Sequence, residues 1–278
     1  MTNPTMTSHP AAGPVTRRLS ALFAVSALIT VLMSAASLAG LLFPARVYPD
    51  PDLYQTFAPN DFVNLVIGLP ILLLAMWFAR RGRLVGLLLW PGALLFVLYN
   101  YLIYSFAGPF HWLYMVYLAL VALSLYSLPA LLASLDAALI TDRLAGRVPE
   151  KLAGGVLVIL GGLFLLRAAG VLVSALIAHS PLPATEVALN TTDFLIAPTW
   201  IITGVLLWQR TPFGYVAGLG TLYSISMLFI GLIMFMLLQP VFASAAPAWI
   251  DIGVVFLMGL VCFVPFVLYL RGVLSRSS

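Results

Sequence analysis

The chain has 278 residues, 63% of them hydrophobic and only 8% charged, and its mean hydropathy is +1.10. A soluble domain carries about a quarter charged residues, so this composition excludes a water-soluble globule and requires lipid to cover much of the apolar surface. The net charge of +4 does not point to nucleic acid, because the basic residues punctuate the ends of apolar segments instead of forming a patch.

Residues 1–16, rich in Thr, Pro, Ser and Ala, read as a disordered cytoplasmic tail. The remainder, 17–278, reads as one all-α transmembrane helical domain. Crossing the hydrocarbon core takes about 20 apolar residues, and eight stretches qualify: 19–43, 61–79, 84–106, 111–135, 152–178, 193–209, 214–238 and 248–270. Backbone groups in lipid must be satisfied within their own segment, so these are helices, and the alternation of a transmembrane barrel is absent. The first stretch follows Arg17-Arg18 but is longer than a signal-peptide core, so it is expected to stay as a span.

Arg17, Arg18, Arg80, Arg81, Arg83, Arg143, Arg147, Lys151, Arg210, Arg271 and Arg276 all fall on one side of such a bundle. The other side has Arg46 with Asp50, Asp52, Asp61, Glu186, Asp193 and Asp251. Basic residues accumulate in cytoplasmic loops, so both termini are expected in the cytoplasm and the chain in the cell membrane.

The second and sixth spans begin alike, at Asp61-Phe62 and Asp193-Phe194, and both end in arginine, at Arg80 and Arg210. Gly86 and Gly218 follow, and Arg18 and Lys151 precede the first and fifth spans. These pairings suggest two parallel four-helix halves, 17–139 and 151–271, related by an axis along the membrane normal. Pro70 and Pro198 do not align in that pairing, and evenly spaced spans could produce the same phasing without duplication. The block from 60 to 104, with Asn60-Asp61, Asn64-Leu65, Leu69-Pro70, Ala79-Arg80-Arg81-Gly82, Leu89-Trp90-Pro91-Gly92-Ala93 and Tyr99-Asn100-Tyr101, resembles one in uncharacterised prokaryotic multipass membrane proteins. That resemblance covers about a fifth of the chain and implies no activity.

Polar groups at membrane depth are costly and usually face the bundle interior. Asp61 and Asn64 lie one turn apart in the second span, and Asn100 and Tyr104 in the third, with Tyr101 beside them. His111, Tyr114, Tyr117, Ser124 and Ser127 trace a stripe down the fourth. Arg167 lies in the fifth span, Asp193 opens the sixth, and Asp251 lies in the eighth. In this topology they form a layer in the outer half of the membrane. Arg167 needs a partner, for which Asp61, Asp193 and Asp251 are candidates. Each of these carboxylates could instead cap a helix N-terminus, and His111 could be merely interfacial. The eight ligand-binding candidates are therefore Asp61, Asn64, Asn100, Tyr104, His111, Arg167, Asp193 and Asp251.

The three histidines lack metal-ligand spacing. The lone Cys262 excludes an intrachain disulfide, and no nucleophile elbow, P-loop or metalloprotease motif is present. Neither a metal nor a cofactor is expected. Gly154-Gly155, Gly161-Gly162, Gly214, Gly218, Gly220 and Ser224 read as close-packing faces. The features suit a small-solute transporter whose outward-facing polar pocket takes a polar or anionic solute. The alternatives are a membrane-embedded enzyme acting on lipid or isoprenoid headgroups at the outer leaflet, with carboxylates as acid and base, and a non-catalytic assembly or sensory subunit that meets a partner through loop 44–60.

Overall fold

The computed structural model describes residues 14–17, 19–108, 110–243 and 246–275. Eight long helices dominate: α1 (Ser20–Leu42), α2 (Pro51–Arg80), α3 (Leu84–Ala107), α4 (Trp112–Leu132), α5 (Glu150–Ala178), α6 (Ala184–Trp208), α7 (Pro212–Ala243) and α8 (Trp249–Leu274). Each is long and apolar enough to cross a bilayer, and the chain is an all-α integral membrane protein. Two short helices, Pro44–Val47 and Ala137–Leu144, lie in connections. An even number of crossings puts both ends of the bundle on one side, here called the terminal side; the opposite side is the distal side.

Several helices outrun their apolar cores. α2 begins at Pro51 and not at 61, and α6 at Ala184 and not at 193. Their first turns are polar, so hydropathy overlooks them, yet nothing in them stops a helix. Pro51 occupies a first-turn position where its missing N–H costs nothing, and Asp50 caps the helix by accepting from the Asp52 amide at 2.9 Å. Asp61 and Asp193 consequently sit well inside helices and cap nothing.

Most of the tail expected at 1–16 lies outside the described residues. Pro14, Val15 and Thr16 form a short antiparallel bridge with Ser134, Leu135 and Asp136.

α3 is the central post, with 89% of its apolar window buried. Within the first half, α1 packs on α2 and α4, and α3 on α2 and α4; the second half repeats this with α5 to α8. The halves join along α3 and α7, flanked by α3 on α6 and by α7 on the first half of α2.

The crossing of α3 and α7 needs glycine. A Cβ on Gly92 would overlap the Gly220 carbonyl oxygen, and one on Gly220 would lie 2.8 Å from that of Leu88. Gly92 and Gly220 are 128 positions apart, and the same interval recurs elsewhere. It relates the left-handed turn residues Gly82 and Arg210, and also Gly86, closed against Phe78-Ala79, and Gly214, closed against Leu206-Leu207. It brings Pro70 and Pro198 into register too. The sequence pairings used intervals a few residues longer, which is why the prolines failed to match. In the register of 128, Asp61 corresponds to position 189, about one turn before Asp193, so the two carboxylates do not occupy equivalent positions.

Candidate functional site

α3 has neighbours on every side, so four positions within its last turns reach different partners. At 100° per residue, Tyr99 turns towards α6, Asn100 towards α2, and Tyr101 towards α1. Tyr104, one turn beyond Asn100, meets α2 again. Two separate polar clusters result.

The first surrounds Asp61, which is 1% exposed. The Tyr48 hydroxyl donates to its Oδ2 at 2.7 Å and the Tyr104 hydroxyl to its Oδ1 at 2.9 Å. Asn64 Nδ2 donates to the Tyr104 oxygen at 3.4 Å, and Asn60 Nδ2 to Asn100 Oδ1 at 3.3 Å. Asn100 also donates to the Phe96 carbonyl, at 3.0 Å. The rings of Tyr101 and Tyr117 pack on that of Tyr104, with centroids 5.3 and 5.1 Å away. α1 approaches so closely that a Cβ on Gly40 would overlap Asp61 Oδ2. Asn64 lies in a π-helical turn, Asn64–Gly68, just before Pro70. Proline lacks the amide for an ordinary helical bond, and single π turns are common at functional positions.

Tyr48 lies in the connection before α2, outside the spans. Burial foremost, then Tyr104 and Asp61, hold its hydroxyl well above the ordinary tyrosine range, so it remains a donor to the carboxylate.

The second cluster is built on Asp193, 1% exposed. Arg167 Nη2 donates to its Oδ2 at 2.6 Å and the Tyr99 hydroxyl to its Oδ1 at 2.6 Å. Arg167 thus selects Asp193 from the three candidate carboxylates. Its own side chain remains 47% exposed and lines a groove of about 550 Å³ with Leu166, Gly170, Ser174, Ser180 and Leu182.

Asp61 lies ten residues past Pro51, Asp193 nine past Ala184, and Arg167 eleven before Ala178. At 1.5 Å per residue each is about 14–17 Å below the distal end of its helix.

The remaining candidates are less closely tied. His111 caps α4, accepting from the Leu113 amide on Nδ1 at 3.2 Å, and its ring is 6.2 Å from that of Tyr117. Burial lowers its pKa from the ordinary histidine value. Asp251 is exposed in the first turn of α8, where it complements the helix dipole and belongs to neither cluster. The α4 stripe is buried at Tyr117, Ser124 and Ser127, while Tyr114 is half-buried.

Tyr48 and Tyr99 were not recognisable as site residues, because tyrosines near span ends usually report the interfacial belt. Also unforeseen is a polar contact on the terminal side, where buried Glu150 Oε1 accepts from the Tyr215 hydroxyl and the Gly146 amide, both at 2.9 Å. Asp136, whose carboxylate caps Ala137–Leu144, shows where the capping signal does apply.

Among the described residues no group of histidine, cysteine, aspartate and glutamate is arranged to hold a metal ion. The chain matches no protein-family model, no curated protein and no solved structure, so the assignment its geometry carries is that of an eight-helix integral membrane protein with two buried carboxylate clusters.

Proposed function

We propose that the protein is a carrier of a small polar or anionic solute in the cell membrane, with both termini cytoplasmic and the two carboxylate clusters beneath the external face. One observation carries this reading: a fully buried carboxylate, Asp193, holds an arginine whose other side opens into a groove. A guanidinium has five donors, and one of the Arg167 donors is committed to Asp193. An incoming anion would compete with Asp193 for the same cation. The exchange frees a buried carboxylate, which is costly unless the surrounding helices rearrange, and that cost couples binding to movement. The repeated four-helix arrangement, which we read as an internal duplication, suits carriers whose halves rock about a shared site.

The test is uptake of radiolabelled organic anions and amino acids into proteoliposomes. Flux that disappears in Arg167→Gln and Asp193→Asn supports the carrier. Wild-type vesicles silent to the whole panel argue against it.

The lipid-headgroup reading has one observation in its favour. The groove is flanked on α5 by Leu166, Leu176 and Ile177, each more than 70% exposed, and such a wall in a membrane faces lipid. Acid–base chemistry on a headgroup needs two carboxylates at one bound atom, whereas Asp61 and Asp193 share no partner and Asp251 stands apart. Native mass spectrometry separates the readings: a retained phospholipid lost in Arg167→Gln favours the amphiphile. Of the face that the assembly reading would use, Val47, Tyr48 and Phe57 are buried against the protein's own bundle, while Asp50 and Asp52 are exposed.

A further inference from the structure

Asp61 and Asp193 are equally buried but differently balanced. Asp193 has an arginine; among the described residues Asp61 has only hydroxyl donors. The groups facing Asp61 are Ser37 and Gly40 from α1, Tyr48 from the connection, and Tyr101 and Tyr104 from α3, with Tyr117 from α4. None is a cation. The nearest basic residue in the chain before it, Arg46, is exposed on the short helix Pro44–Val47. An isolated ionised carboxylate in an apolar interior is so costly that it neutralises by taking up a proton.

A second observation concerns the polar atoms around this cluster. Tyr117, 1% exposed, interacts with both Asp61 and Tyr48. Its hydroxyl is nevertheless buried without a hydrogen-bond partner among the described residues, as are Asn64 Oδ1 and His111 Nε2. Buried polar atoms are normally satisfied. Two of these, on Tyr117 and His111, belong to the first turns of α4 at its distal end, where His111 is half-buried, whereas Asn64 lies one turn deeper in α2 than Asp61.

We propose that Asp61 is a reversible proton-binding site, reached from the distal face through His111, Tyr117 and Tyr48. The Tyr48 O–H passes its proton to Asp61 Oδ2 and takes one from the Tyr117 O–H. His111 takes a proton from bulk water on Nδ1, releasing the Leu113 amide, and the imidazolium's Nε2–H refills Tyr117, directly or across one bridging water. His111 is left neutral, and its remaining proton exchanges back to Nε2 through bulk water. The net change is one proton moved from solvent to the carboxylate, with no other bond made or broken. Protonated Asp61 then donates to the Tyr48 oxygen, reversing the direction of that hydrogen bond. The proposal stands on the Asp61 cluster alone and does not rest on the carrier reading.

Infrared difference spectroscopy of the reconstituted full chain, stepped from about pH 8 to about pH 5, tests it without measuring flux. A carboxylic-acid C=O band is expected to appear on acidification and to be sensitive to deuteration. It should be lost in Asp61→Asn and retained in Asp193→Asn. Tyr117→Phe should keep the band but slow its appearance at least tenfold, which covers the case in which Asp61→Asn does not fold. A band that survives Asp61→Asn, a band already full at the alkaline end, or unchanged kinetics in Tyr117→Phe would overturn the proposal.

Discussion

Arg167 Nη2 lies 2.6 Å from Asp193 Oδ2, yet the carboxylate is fully buried and the guanidinium half exposed. The pair is therefore asymmetric, and its two members should not cost the same to remove. Arg167→Gln strands a buried charge, for which about 3 kcal/mol is expected. Asp193→Asn leaves an arginine that can turn outwards into the groove, so its cost should be about 1 kcal/mol. The double variant should be more stable than Arg167→Gln alone. Unfolding in detergent micelles measures all three, and equal losses in the single variants would contradict the asymmetry.

The crossing of α3 and α7 predicts a contrast among glycines. Gly92→Ala and Gly220→Ala place a methyl against backbone atoms, which cannot swing aside, and each should cost about 1–3 kcal/mol. Gly162, where an added methyl would meet nothing within 4 Å, provides the control: Gly162→Ala should leave stability unchanged or slightly raised. Thermal melts of the three purified variants check the ordering.

Tyrosine hydroxyls around Asp61 should differ in worth. Tyr104→Phe removes a 2.9 Å bond to the carboxylate and should cost about 1–3 kcal/mol, the penalty for an unsatisfied buried acceptor. The Tyr101 hydroxyl makes only contacts of 3.4 and 3.5 Å, at the long limit of hydrogen bonding. Tyr101→Phe should be nearly silent in the same unfolding measurement.

His111 makes a prediction about pH. Its Nδ1 must be unprotonated to accept from the Leu113 amide, and burial favours that neutral form. A histidine whose folded pKa is lowered contributes stability above its unfolded value, near about 6.5, and loses it as pH falls through the folded one. Stability should therefore decline below about pH 6.5, by about 1 kcal/mol for a lost cap. In His111→Asn, which caps without titrating, that part of the decline should vanish. Melting curves across the pH range distinguish the two.

The eight crossings were legible because lipid imposes length and hydropathy on every span. That Asp61 shares a face with Asn64, and Asn100 with Tyr104, was legible as well, since i,i+3 and i,i+4 spacing puts residues on one helix face. Three things were not. The polar first turns of α2 and α6 hid the true helix starts, so Asp61 and Asp193 resembled caps. The choice of Asp193 over Asp61 for Arg167 depends on which side of α3 each faces, and periodicity within one helix does not reveal packing between helices. Tyr48 and Tyr99 read as ordinary interfacial aromatics, though each donates to a buried carboxylate.

The sidedness of this layer is the most direct test, because both carboxylate clusters are assigned to the external half. In a Cys262→Ser background, single cysteines at Phe110 and Ser180 mark the distal side, and at Arg81 and Ser275 the terminal side; all four positions are exposed. A membrane-impermeant maleimide applied to intact cells should label the Phe110 and Ser180 positions at once and the other two only after lysis. The reverse pattern would put Asp61, Arg167 and Asp193 beneath the cytoplasmic face and contradict the account.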